Sequence, residues 1–110
     1  LDLVRAMEKD TGERLPSLRV DGGATANHYL MQFQSDILDA PVERPQNVDT
    51  TALGVAYLAG MEAGIWNNVD DLLKLQSDRT FFRPAMGAER RAREIRYWNK
   101  AVDRVKNWVD

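Results

Sequence analysis

The sequence predicts an α/β fold of short parallel strands with helices packed on them and a long helix at the C-terminal end. Three stretches carry that prediction. Leu18 and Val20 alternate with polar neighbours, the pattern of a strand with one face on a core, and run directly into Gly22, Gly23 and a helical segment. Val42, Glu43 and Arg44, bracketed by Pro41 and Pro45, read as a second strand. Strand, helix and strand in that order imply a parallel pair with a right-handed crossover. From about residue 88 to 109, Ile95, Trp98, Val102, Val105 and Val109 recur at alternating spacings of three and four, which is one stripe of a long amphipathic helix.

Residues 1–10 read as a helix with Leu3, Val4 and Met7 on one face, and Gly12 stands where a left-handed, helix-ending residue belongs. Pro16 separates this helix from the first strand. At Gly22 and Gly23 the backbone is free to turn sharply and to leave peptide amides bare at the first turn of the following helix. Bare amides and the positive end of the macrodipole both favour an anion such as phosphate. The helix that follows is predicted over about residues 24–38, with Ala26, Leu30, Phe33 and Ile37 facing a sheet and His28, Gln32 and Ser35 on the polar side. Asn27 then falls one turn into it, where its side-chain amide joins whatever the glycines hold.

The prolines around residues 42–44 predict a short or edge strand. Asp49 or Thr50 caps a helix over residues 51–64 that is rich in small residues. Within it Gly54 and Gly60 each cost about 1 kcal/mol of helix propensity relative to Ala, which close approach to the double-glycine turn or to a flat ligand would offset. Asn68 caps a short helix through Leu75. Residues 79–84 form an extended connector carrying Phe81 and Phe82.

At 110 residues, 44% hydrophobic and 29% charged, the chain has the size and composition of one globular domain. A net charge of −2 argues against a nucleic-acid partner. No apolar run approaches a membrane span and no signal-peptide pattern opens the chain, so a membrane is not an expected partner either. The absence of cysteine excludes disulfides and thiolate metal sites and fits a cytoplasmic protein. The chain starts at Leu1, inside a helical pattern, and reads as a piece of something longer.

Most familiar chemical motifs are missing: there is no Walker-type phosphate loop and no Gly-x-Gly-x-x-Gly fingerprint. The single histidine, His28, lacks metal-ligand neighbours, and a lone histidine builds no Ser-His-Asp triad. Arg90, Arg91, Arg93 and Arg96 alternate with Glu89 and Glu94, as on a solvated helix face. Trp98 and Trp108 read as packing anchors, and Trp66, just after a helix end, as a core or interface residue. What remains is Gly22, Gly23 and Asn27 beside a helix of small residues, which together form one wall of a nucleotide pocket.

Those residues also carry a specific likeness. Leu-Arg-Val-Asp-Gly-Gly-Ala at 18–24, Leu-Met-Gln-Phe-Gln-Ser-Asp-Ile-Leu at 30–38 and Val-Glu-Arg-Pro at 42–45 closely resemble the C-terminal part of the FGGY carbohydrate kinases, in particular its glycerol-phosphorylating members. Thr-Ala-Leu-Gly at 51–54, Ala-Tyr-Leu-Ala-Gly at 56–60 and Phe-Arg-Pro at 82–84 continue the match in order. The resemblance implies a partial actin-like, ribonuclease-H-like ATPase fold. Residues 1–110 would be the closing part of its nucleotide-binding domain. It further implies that Gly23 offers a backbone amide to the phosphates of ATP or ADP, that Asn27 contacts the nucleotide and that Gly22 shapes the turn.

The resemblance places the catalytic aspartate, the glycerol site and most Mg2+ contacts in parts of the family's sequence that this chain lacks, so the chain by itself is expected to be inactive. His28 departs from the Asn common at its position. Two rival readings stay open: a sister kinase acting on another polyol, and a non-catalytic interaction module built on the long helix. Unpaired strand edges point to a homo-oligomer.

Overall fold

A computed structural model of the chain describes residues 1–47, 49–75 and 78–106. Helix α1 (Asp2–Thr11) ends at Gly12, whose left-handed backbone (φ 73°) returns its amide to the Glu8 carbonyl. Strand β1 (Leu18–Arg19) leads through the glycines into one 3-10 turn (Gly23–Ala26) and then α2 (His28–Leu38). Next come β2 (Val42–Pro45), α3 (Thr50–Glu62), α4 (Val69–Leu75), β3 (Arg79–Phe82) and α5 (Ala88–Val105). Asp49 caps α3 by accepting from the Ala52 amide, and Asn68 accepts from the Asp71 amide at the start of α4.

The sheet has the order β1-β2-β3, with β1 and β2 parallel and β2 and β3 antiparallel. Two expectations are corrected here. The proline-bracketed strand is short, at 4 residues, but it is the central one and not an edge. Pro45 is tolerated because it is the last residue of β2, paired with Arg79. The presumed connector at 79–84 is in part a strand, and it buries Phe82 opposite Val42. The long helix is described to Val105, with Lys106 at its C-cap; Trp108 and Val109 lie outside the described residues.

The core is small: Met31, Val42 and Phe82, with Leu18 and Val20 packed against it. The side of α2 that faces the sheet therefore runs through Met31 and Ser35, not through Leu30, which is 39% exposed. Ser35 was expected on the polar side and is fully buried. Periodicity reads a serine as polar, yet this hydroxyl, which lies within hydrogen-bond distance of the Ala40 and Phe82 carbonyls at 2.8 and 3.0 Å, is satisfied inside.

A second polar device joins α2 to α5. The Asp36 carboxylate accepts from the Ala85 and Met86 amides at 2.7 and 3.1 Å and from Gln32 at 3.0 Å. Arg91 spans the same junction, donating to the Asp36 and Met86 carbonyls and pairing with Asp39 at 2.8 Å. Trp98 does not bury as an anchor. It is half exposed, and its indole N–H donates to Asp2 at 2.8 Å, tying α5 to the start of α1.

Candidate functional site

The site grows from the end of β1. Val20 still donates to the Glu43 carbonyl in ladder fashion, and then the chain leaves the sheet. Gly22 takes φ 85° and ψ 165°, a conformation closed to a residue with a Cβ, so the glycine there is a requirement of the backbone. Its carbonyl is seized twice by Thr25, through the amide at 3.0 Å and the hydroxyl at 2.7 Å. Among the described residues the amides of Gly23 and Ala24 donate to no protein acceptor. A Cβ built at Gly23 meets no protein atom within 4 Å. The turn thus presents two free N–H groups on an open surface, the elements of an anion cradle.

Asn27 is placed differently from expectation. A 3-10 turn precedes α2, so Asn27 is the N-cap of that helix instead of a residue one turn inside it. Its Oδ1 accepts from the Leu30 amide at 3.0 Å, which leaves the Nδ2 amide with no protein partner among the described residues. The reason is local: an Asn side chain competes well for the first free amides of a helix, and a 3-10 turn is a frequent lead-in to an α-helix.

Two further residues, which the sequence reading did not single out, hold this turn. Arg44 reaches from β2 to the Thr25 carbonyl at 2.8 Å, and its other terminal nitrogen lies 3.3 Å from His28 Nε2. Thr50, the first residue of α3, donates its hydroxyl to Asp21 and so ties the turn to the next helix. The signal for Arg44 was present in the alternation of β2, since residue 44 shares a face with buried Val42.

On the opposite face of the sheet a cavity of about 590 Å3 opens toward α3. Asp21, Thr50, Leu53, Gly54 and Tyr57 line it on one side and Arg19, Glu43 and Arg79 on the other. Gly22, Gly23 and Asn27 are not among its lining residues, so the turn and the cavity meet only at Asp21. Glu43 binds this floor together: hydrogen bonds from Ser17 and from Arg79 (2.9 Å) outweigh its burial and, with the Arg19 and Arg79 charges, hold its carboxyl below the usual range. The two α3 glycines part company. Gly54 borders the cavity, whereas Gly60 lies under the Trp66 indole, where a Cβ would come within 2.1 Å. Close approach does explain Gly60, but the neighbour is Trp66 and not the double-glycine turn.

A β-strand ending in a glycine turn with free amides and a capped helix is a junction of an α/β domain with the elements of an anion site, and the chain belongs to the FGGY family of carbohydrate kinases, whose C-terminal domain matches residues 2–63. Among individual relatives it resembles glycerol kinases. It is 56% identical to glycerol kinase of Leptospira biflexa over 105 residues, 96% of this chain and 21% of that protein. To glycerol kinase of Thermoanaerobacter pseudethanolicus it is 50% identical over 109 residues, 99% of this chain and 22% of that one. The crystal structure of Plasmodium falciparum glycerol kinase with ADP superposes with a TM-score of 0.73 at 39% identity, covering 94% of this chain and 21% of that chain. The chain therefore spans about a fifth of the length of the relatives it matches.

Proposed function

We propose that this chain forms part of the nucleotide-binding wall of an ATP-dependent glycerol kinase, which converts glycerol and ATP to glycerol 3-phosphate and ADP in the cytoplasm. The observation that carries the reading is the pair of free amides at Gly23 and Ala24, held open by Gly22 and Thr25 at the N-terminal side of α2. In phosphoryl transfer the protein acts mainly by positioning and by stabilising charge on the phosphates. Gly23 contributes a backbone donor to that charge, Asn27 contributes its Nδ2 amide, and Gly22 fixes the bend. The chain spans about a fifth of its relatives' length, and we assign most of the Mg2+ contacts, the catalytic base and the glycerol site to the remainder of the full-length enzyme. No described helix is long and apolar enough to cross a membrane.

The identity to glycerol kinases favours glycerol over another polyol. Two substitutions in a full-length kinase carrying this segment test the reading. Gly23→Ala places a methyl where only a ligand would meet it, and Asn27→Ser removes the amide while keeping a good helix cap. Each is expected to raise the KM for ATP about tenfold, Asn27→Ser through the loss of one hydrogen bond to a charged group and Gly23→Ala through the clash of its methyl with the bound phosphates, with the KM for glycerol unchanged. Unaltered ATP kinetics in both variants would remove the assignment. Asn27→Ala is the poorer probe, because losing the cap costs about 1 kcal/mol of helix stability on its own account.

A further inference from the structure

We propose that Arg44 is a positioning residue for the phosphate-facing turn, holding the Gly23 amide outward from the neighbouring strand. The inference rests on the nucleotide reading above and assigns the residue that makes the geometry of that site. Arg44 alternates with Val42 along β2 and so lies on the core-facing side of the sheet, where a guanidinium stays only if its donors are satisfied. Here one terminal nitrogen donates to the Thr25 carbonyl at 2.8 Å, the other lies 3.3 Å from His28 Nε2, and the group sits 5.3 Å over the Phe82 ring centroid. Three elements meet on this one side chain: the turn, the start of α2 and β3.

The consequence for the site follows from the planarity of one peptide. Thr25 is 5% exposed, and its amide and hydroxyl both clasp the Gly22 carbonyl. That carbonyl shares a trans peptide with the Gly23 amide, and in a trans peptide the two point in opposite directions. With the Gly22 carbonyl drawn inward to Thr25, the Gly23 N–H is turned outward. Arg44 fixes Thr25 in turn, through the carbonyl that Thr25 does not use for the clasp. Remove the guanidinium and that carbonyl of buried Thr25 loses its donor, and the peptide pair that aims Gly23 is free to rotate.

The test uses a full-length kinase carrying this segment. Arg44→Met keeps an apolar stem against Phe82 and removes every donor. It is expected to raise the KM for MgATP about tenfold, to leave the KM for glycerol within about twofold, and to shrink the rise in melting temperature that ADP produces. Arg44→Lys, whose single ammonium still reaches Thr25 but not His28 as well, is expected to fall between, with the ATP KM raised about threefold. An unchanged ATP KM in Arg44→Met, or equal rises for both substrates, overturns the proposal. If Arg44→Met does not fold, Arg44→Lys decides: the threefold ATP-specific effect supports the role, and parity with the parent overturns it. Gly23→Ala measured alongside separates the two readings. If it raises the ATP KM while Arg44→Met does not, only the positioning role fails; if neither it nor Asn27→Ser has an effect, the nucleotide reading falls and this inference with it.

Discussion

Neighbouring glycines in this chain do different work, and substitution separates them. Gly22 sits at φ 85°, so Gly22→Ala forces a methyl into the left-handed region, and a loss of about 1–2 kcal/mol is expected by chemical unfolding. Gly23→Ala has neither a positive φ nor a neighbour to strike, and is expected to change stability by less than about 0.5 kcal/mol. The helix α3 repeats the contrast. Gly60→Ala drives a methyl to 2.1 Å from the Trp66 indole, an overpacking that costs about 1–3 kcal/mol unless the ring leaves. Gly54→Ala meets open space and gains helix propensity of about 1 kcal/mol. Opposite signs of the two shifts in melting temperature are the expected result, and a destabilised Gly54→Ala would show that the helix packs more closely than described. The sequence announced the glycines but not their reasons, because whether a missing Cβ serves a backbone angle, an indole or a ligand is set by what lies across from it.

Between elements, the junction of α2 with α5 carries a network of charged groups. Burial alone would raise the Asp36 carboxyl, but the amides of Ala85 and Met86, the Gln32 side chain and the Arg91 charge together outweigh it and hold it below the usual range. A carboxylate with a lowered folded value gives its full stabilisation above the ordinary unfolded value and loses it as the pH falls through the lowered one. Glu43 is shifted in the same direction on the other sheet face. Unfolding free energy is therefore expected to be flat from neutral pH to about pH 5 and to decline below about pH 4. Asp36→Asn keeps the shape and discards the charge. It is expected to cost about 2 kcal/mol at pH 7 and to flatten that acid limb, as read from urea unfolding at a series of pH values. A variant with the parent's acid slope would place the titration elsewhere. None of this was visible in the helical spacing, which gave Arg91 to solvent together with Arg90, Arg93 and Arg96.

At the scale of the whole chain the apolar surface is only partly covered. The radius of gyration is 18.4 Å, where a compact domain of this length has about 13 Å. Helix α3 is apolar on nearly all sides, yet Val55 and Leu58 are about two-thirds exposed. On α1 and α2, Leu3 and Tyr29 are three-quarters exposed and Met7 about half. Strand β1 is an outer strand of the sheet, with pairing recorded on one side only. Surfaces of this kind belong against other protein, as the family's larger kinases would provide. Prepared as these 110 residues, the chain is expected to self-associate, with a light-scattering mass that climbs above 12.5 kDa as concentration rises. A constant mass of 12.5 kDa over a wide concentration range would refute it.

What the sequence by itself determined is local. The helix ends at Gly12 and Asn68, the bend at Gly22 and the strand-helix-strand order around it all follow from backbone preferences that a few adjacent residues settle. Tertiary structure alone decided that β2 is central and that Ser35 and Arg44 face inward. These depend on partners far along the chain, with Val42 paired to Phe82 and Arg44 bonded to Thr25. A polar side chain becomes a core residue only when the carbonyl that satisfies it has been brought within reach.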